Sequence, residues 1–449
     1  MSKAFLFLLL TIFSITGFAQ FSVSSNKRFL LKDGQPFFWL GDTGWELFHR
    51  LDRNEADQYL KKRKEQGFTV IQAVVLAEFD GLHTPNANGD LPLLNDNPAT
   101  PNEKYFSHVD YIVDKAASYN INIAMLPTWG DKVFKDRWGI GPEIFNEQNA
   151  GVYAGWLANR YKDRKNIIWI LGGDRIPRNT DLAIWRAMGN AIMKATSNKA
   201  IISLHTQPNA LGSAEWFHQD AWLAFNMFQT GHCRDADVYE KIQAAYNLVP
   251  AKPVIDGEPV YEDHPVCFNV KDLGTTSAYD VRRSAWLDLF AGAFGHTYGC
   301  HDIWQFNSNK HEPVNGPHYN WQEAMDLPGA GQMKYLRELI EAFPYTERIP
   351  DQSIIKENNY TPAERIQATR GNDYLFVYSC AGKPFTVLLK KIKGRQLKGF
   401  WYDPRNGKTT PVDVVENTNT KEFLPPSKGY GKDWVLVLFD AEKNYGLQG

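Results

Sequence analysis

Cysteine is scarce in this chain of 449 residues, with four positions, Cys233, Cys267, Cys300 and Cys380. A disulfide framework is therefore not what holds the fold together. Cys233, Cys267 and Cys300 fall in successive predicted loops, an arrangement open either to one bridge or to buried free thiols. Charge of one sign is lacking too. Lys and Arg number 49 against 51 Asp and Glu, a net charge of -2. That balance argues against nucleic acid or an anionic membrane as the main partner, because both require a clustered basic surface. Past the N-terminus no apolar run approaches the ~20 residues of a membrane span.

Several catalytic signatures are also missing. Gly139-Ile140-Gly141-Pro142-Glu143-Ile144 begins like a dinucleotide fingerprint but lacks the third Gly and follows no strand. Gly407-Lys408-Thr409 has Tyr402 where a phosphate loop needs Gly. His311-Glu312 is not followed by a second His at helical zinc spacing, His318 being too distant. No Gly-x-Ser-x-Gly elbow is present. No cofactor is expected, and a metal on His296, His301 and His311 is only the minor alternative to none.

At the N-terminus, Lys3, the apolar run 4–15 and the small residues Gly17 and Ala19 read as a signal peptide over 1–19, cleaved before Gln20. The run is too short to span a bilayer. Export to the periplasm or beyond is expected, without a lipid anchor, since no Cys follows the cleavage site.

Aromatic residues, by contrast, are plentiful: 14 Trp, 20 Tyr and 27 Phe make up 14% of the chain. Aromatics on this scale either fill cores or line sites for flat, weakly polar ligands such as sugar rings. Which of the two applies depends on the fold. From residue 37 to about 343, short apolar runs alternate with amphipathic stretches. Strands are predicted at 38–41, 70–76, 121–126, 167–171, 201–205, 222–227, 253–256 and 295–299. Helices are predicted at 54–66, 105–119, 151–161, 181–196, 237–246, 277–291 and 333–342. Val- and Ile-rich strands separated by helices form parallel sheets covered on both faces. Eight of them fit a (β/α)8 TIM barrel better than an open sheet. The fifth-to-sixth connection shows no long helix. Lys32-Asp33-Gly34-Gln35 signals a hairpin below the barrel. After about Pro350 the pattern turns to alternation, at 374–378, 385–389, 397–402 and 434–439, as in a small antiparallel β-sandwich. The expected organisation is signal peptide 1–19, barrel domain 20–347 with its N-terminal hairpin, and sandwich domain 348–449.

A (β/α)8 barrel places its active site at the C-terminal strand ends. There the sequence puts Asp42, Trp45, Glu78, Trp129, Asp174, Arg175, His205, Gln207, Asn226, Glu258, His296 and Trp304. Carboxylates, amides and imidazoles can bond ring hydroxyls, and indole can stack on the apolar faces of a sugar. Asp174 after the fourth strand and Glu258 after the seventh face each other across a barrel. Carboxyls about 5–5.5 Å apart support double displacement through a covalent glycosyl intermediate. Asp174 is read as the acid/base and Glu258 as the nucleophile, with the other ten as substrate-binding residues. Alternative readings attach to several of these. Asp42 equally suits a helix cap, Arg175 a surface ion pair, and Trp129 and Trp304 ordinary core packing. Asp256 points opposite to Glu258 and is read as structural.

These motifs carry a resemblance. Phe37-Phe38-Trp39-Leu40-Gly41-Asp42-Thr43-Gly44-Trp45, Gly67-Phe68-Thr69-Val70-Ile71-Gln72, Gly172-Gly173-Asp174, Asp256-Gly257-Glu258-Pro259 and Gly295-His296-Thr297-Tyr298-Gly299 together resemble the apiosidase-like glycoside hydrolases of Bacteroidetes over roughly 21–343. The region after about Pro350 resembles the collagen-binding-type β-sandwich that usually follows. The resemblance implies a retaining mechanism with acid/base Asp at Asp174 and nucleophile Glu at Glu258. It also implies exo-release of D-apiose from side chains of the pectin rhamnogalacturonan II. Gly44 departs from the Ala expected there, and His301-Asp302-Ile303-Trp304 matches only loosely. The expected partner is an oligosaccharide or polysaccharide, taken by a monomer. The alternatives are an endo-acting glycanase on the same barrel and a non-catalytic glycan- or collagen-binding surface protein.

Overall fold

The computed structural model describes residues 21–357 and 360–445; the predicted signal peptide lies outside them. The chain opens with β1 (Phe21–Val23), β2 (Leu30–Lys32) and β3 (Gln35–Phe37), a small antiparallel sheet in which Asp33 and Gly34 make the turn between β2 and β3. Both turn residues have positive φ, 54° and 75°, the backbone that a two-residue hairpin turn needs.

Eight parallel strands follow: β4 (Trp39–Thr43), β5 (Val70–Leu76), β6 (Asn122–Thr128), β7 (Ile167–Gly172), β8 (Ile202–His205), β9 (Asn226–Gln229), β10 (Val254–Glu258) and β11 (Gly295–Tyr298). They run β11-β4-β5-β6-β7-β8 in one sheet, with β9 and β10 paired beside it. Ala224 N–H to Ile202 O (2.8 Å) and Phe294 N–H to Val254 O (3.0 Å) close the two joints into a barrel. Nearly every strand residue is buried, as expected for strands covered on both faces. The covering helices are α1 (Arg53–Glu65), α2 (Glu103–Ser118), α3 (Glu147–Tyr161), α4 (Leu182–Ala195), α5 (Val238–Tyr246), α6 (Ala278–Ala291) and α7 (Pro328–Glu341). Between β8 and β9 the connection holds only the single turn Ala214–Phe217.

The sixth predicted strand is displaced. Trp222, Leu223 and Phe225 are buried and Ala224 partly so, yet they lead into β9 rather than form it, tied to β8 through Ile202. The strand starts at Asn226, so Asn226 lies at the bottom of the barrel instead of at its rim.

The remaining strands are β12 (Ile349–Pro350), β13 (Ile366–Arg370), β14 (Tyr374–Ser379), β15 (Phe385–Leu388), β16 (Gln396–Tyr402), β17 (Thr409–Glu416), β18 (Thr420–Phe423) and β19 (Trp434–Asp440). A six-stranded antiparallel sheet, β12-β13-β14-β19-β16-β17, faces the β15-β18 pair. Its two faces serve different cores. Leu375, Val377, Leu436 and Leu438 pack with Phe385, Val387 and Phe423 inside the sandwich. The alternate residues Tyr374, Phe376, Tyr378, Val435, Val437 and Phe439 belong to the barrel's own hydrophobic core. Trp286 and Phe290 of α6 stack on Tyr378 and Phe376, with centroids 6.0 and 5.9 Å apart. Covered by the barrel on one side and the sheet on the other, α6 is buried at every position from Tyr279 to Ala291.

A disulfide joins Cys233 and Cys267, in the loops after β9 and β10, while Cys300 and Cys380 are buried free thiols. No helix among the described residues is long and apolar enough to cross a membrane.

Candidate active site

Gly172 ends β7 at φ 82°, and Gly173 and Asp174 follow at 130° and 47°. This left-handed run turns the chain sharply outward and lifts the Asp174 carboxyl onto the barrel mouth. Only glycine fits at 173, where a Cβ would meet the Trp129 ring at 2.6 Å. Four donors fix the Asp174 backbone carbonyl and carboxyl. Arg175 Nη1 and Gln207 Nε2 donate to its carbonyl at 2.6 and 2.9 Å, and the Trp138 indole N–H donates to Oδ2 at 3.2 Å. With its amide oriented to satisfy both ends, Gln229 at the end of β9 donates to Oδ1 at 3.0 Å and to Thr206 O at 2.8 Å.

Glu258 ends β10 beyond a bulge at Asp256. Its Oε2 lies 2.7 Å from His205 Nε2 and its Oε1 3.4 Å from His232 Nε2. The Tyr261 hydroxyl, which lies beside Glu258, accepts from Trp45 Nε1 at 3.2 Å. His205 links the two acids. Its Nδ1 accepts the Asp174 backbone N–H at 3.2 Å, which leaves Nε2 to carry a ring proton toward Glu258. Trp45 and Trp129 pack on the His205 ring, with centroids 5.5 and 5.8 Å away.

The two carboxyls diverge electrostatically. Burial, followed by the charge of Glu258, pushes Asp174 up to about 6, against smaller opposing effects of His205, Arg175 and the Trp138 N–H. Burial also pushes Glu258 up, but the bonds and charges of His205 and His232 outweigh it and hold its carboxyl well below the usual range. One group is thus poised to carry a proton near neutrality while its neighbour stays ionised. That division of labour is what acid/base work beside a nucleophile requires. Glu78, half-buried in the loop after β5, is raised by burial and by the charges of Asp174 and Asp131.

The structure gathers Trp45, Glu78, Trp129, Arg175, His205 and Gln207 around Asp174 and Glu258. Trp304 stands farther along the rim, its indole N–H 3.3 Å from His301 Nδ1. Three predicted residues are not brought there. Asp42 is fully buried and turned outward to α1, where Arg63 and Tyr59 donate to its Oδ2. His296 is fully buried and bonds Asp288 of α6 at 2.8 Å. Asn226 faces His218 at 3.2 Å, at the lower end of β9. Trp138, Gln229, His232 and Tyr261 are functional neighbours that residue-type reasoning missed. Gln229 would follow from placing β9 correctly, whereas the others sit in loops whose path no periodicity reports. His232 begins a column of imidazoles, with His264 stacked on it at 4.1 Å and His301 beyond at 4.6 Å. No group of three or more His, Cys, Asp or Glu among the described residues is arranged to hold a metal ion.

A family model described as "Apiosidase-like, catalytic domain" matches residues 24–347, and one described as "Putative collagen-binding domain of a collagenase" matches 349–439. No curated protein matches the sequence. Among solved structures, one titled "Glycoside hydrolase" is 36% identical, with a TM-score of 0.87, covering 95% of this chain and 98% of its own. A glycoside hydrolase family 5 structure from Bacteroides vulgatus ATCC 8482 is also 36% identical, with a TM-score of 0.88, covering 95% of this chain and 94% of its own. The barrel, the carboxyl pair at its mouth and these matches place the chain in one group: it belongs to the apiosidase-like family of glycoside hydrolases.

Proposed function

We propose that this glycoside hydrolase is an exported, retaining exo-glycosidase that releases D-apiose from pectic side chains such as those of rhamnogalacturonan II. The observation carrying the reading is the His205 bridge, which holds Glu258 ionised and the Asp174 amide in place at once. In the first step Asp174 gives its proton to the glycosidic oxygen while a Glu258 oxygen attacks the anomeric carbon. The leaving group departs and a covalent glycosyl ester remains. In the second step Asp174 takes a proton from water, whose oxygen displaces Glu258 and frees the sugar. Trp45 and Trp129 wall the sugar pocket. Arg175 and Gln207 hold Asp174 in position, Glu78 offers a carboxyl to ring hydroxyls, and Trp304 borders the mouth.

Product analysis on rhamnogalacturonan II side-chain oligosaccharides tests this directly, with free apiose as the expected product. Large fragments in place of a monosaccharide would make the enzyme an endo-glycanase. Asp174→Asn and Glu258→Gln should each lose at least ~10³-fold in rate. Near-wild-type turnover in either variant would overturn the assignment.

A further inference from the structure

The loop between β6 and α3 carries an indole whose placement differs from that of the other tryptophans of the mouth. Trp45 and Trp129 are 4% and 3% exposed, already committed to each other and to His205. Trp304 is 9% exposed and Trp138 is 50% exposed. Half-exposure alone means little, but Trp138 is not a loose surface residue. Its N–H donates to Asp174 Oδ2 at 3.2 Å, and the Arg175 guanidinium lies 5.1 Å from its ring centroid. Arg175 is itself anchored through Nε to Phe134 O at 3.0 Å and is buried. Gly139 allows this approach, since a Cβ there would fall 2.6 Å from Arg175 Nη2. The ring is therefore oriented at both its edge and its side while much of it still faces solvent.

In the mechanism proposed above, on which this inference rests, the acid stands on the side of the departing group because it must reach the glycosidic oxygen. An exposed ring bonded to that acid faces the same group. We propose that Trp138 forms the leaving-group subsite, a stacking platform for the sugar ring that follows the scissile bond, and that its N–H positions the Asp174 carboxyl toward that bond. The ligand class is a pyranose presenting an apolar C–H face, which stacks well on indole. One residue thus couples recognition of the aglycone to placement of the proton donor.

The groups facing Asp174 are Glu258 from β10, His205 from β8, Arg175 beside it and Glu78 from the loop after β5. All of them remain when Trp138 is changed. The N–H favours the ionised acid, so removing it raises the acid's pKa. Two variants separate the two roles. Two probes are compared: an apiose-bearing rhamnogalacturonan II side-chain oligosaccharide, and β-D-apiosyl fluoride, whose leaving group has no ring to stack and needs little protonation. Trp138→Ala should lose about tenfold in kcat/KM on the oligosaccharide, mostly in KM, and far less on the fluoride. Trp138→Phe keeps a ring, so it should hold KM on the oligosaccharide while the alkaline limb of its pH profile moves to higher pH. Equal losses on both probes in Trp138→Ala, or an unmoved limb in Trp138→Phe, would overturn the proposal. A wild-type enzyme that opens neither probe overturns the apiose-releasing reading and the subsite argued on it. A wild-type enzyme that opens both, with Trp138→Ala indistinguishable from it, overturns the subsite alone.

Discussion

At Asp174 and Glu258 the same functional group meets two environments, and the imidazoles make the difference. Histidine contacts hold Glu258 ionised, and that charge in turn helps keep Asp174 protonated. The sign of the pH response follows. An acid that must be protonated loses activity as pH rises through its pKa, so kcat/KM should fall on the alkaline side from about 6. A nucleophile that must be ionised loses activity as pH falls through its pKa. Without His205, Glu258 keeps the upward push of burial and loses a main opposing contact. The acidic limb of a His205→Ala variant should therefore shift to higher pH, and a pH–rate profile on oligosaccharide would show it; an unmoved limb would mean that His205 is structural only. At this scale the sequence was legible where position decides chemistry: a carboxyl just past a barrel strand faces the mouth. It misled at Asp42, also near a strand end, because nothing local reveals that the partner, Arg63, lies on the helix side of the strand.

Among the elements, the strand that ends in the acid depends on its glycines. Gly173→Ala forces a Cβ into the Trp129 ring at a backbone angle that side chains rarely adopt. The turn would have to relax, carrying Asp174 with it, so activity should fall by ~10² or more while circular dichroism stays native, since a displacement of about 1 Å can cost that much. Full activity would show that the turn has slack. Periodicity located β5 at its observed bounds and most helices within a few residues, because those segments carry one clear face. Two places resisted it. The apolar run before β9 is buried as connection rather than strand, and a shift of about four residues sends Asn226 from mouth to floor. In α6 the acidic and basic residues Asp280, Arg282, Arg283 and Asp288 look like a solvated face. They are buried instead, Asp288 against His296 of the barrel and Arg282 against Asp433 beside the second sheet, and no single-helix pattern announces what a distant part of the chain will cover.

For the whole molecule, the barrel and the sandwich share a core rather than touch at their surfaces. Arg282 of α6 pairs with Asp433 at 2.6 and 2.8 Å, both buried, and Arg348 donates to the carbonyl of Ala293 at 2.9 Å. Removing Asp433 strands a buried guanidinium, so Asp433→Ala should cost about 3–5 kcal/mol in denaturant unfolding. The intact chain should also unfold in one calorimetric transition. Two separated transitions, with the first insensitive to this substitution, would mean that the halves are independent. The strand alternation at their junction has a wider consequence. Tyr374, Phe376 and Tyr378 serve one interior while Leu375 and Val377 serve another, so neither half owns the sheet between them. A recombination event that moved this tail onto another catalytic barrel would expose a row of aromatics and open the donor barrel's flank. The tail should therefore be inherited with its barrel, its presence in a genome tracking that of the enzyme far more closely than that of a freely shuffled adhesion module.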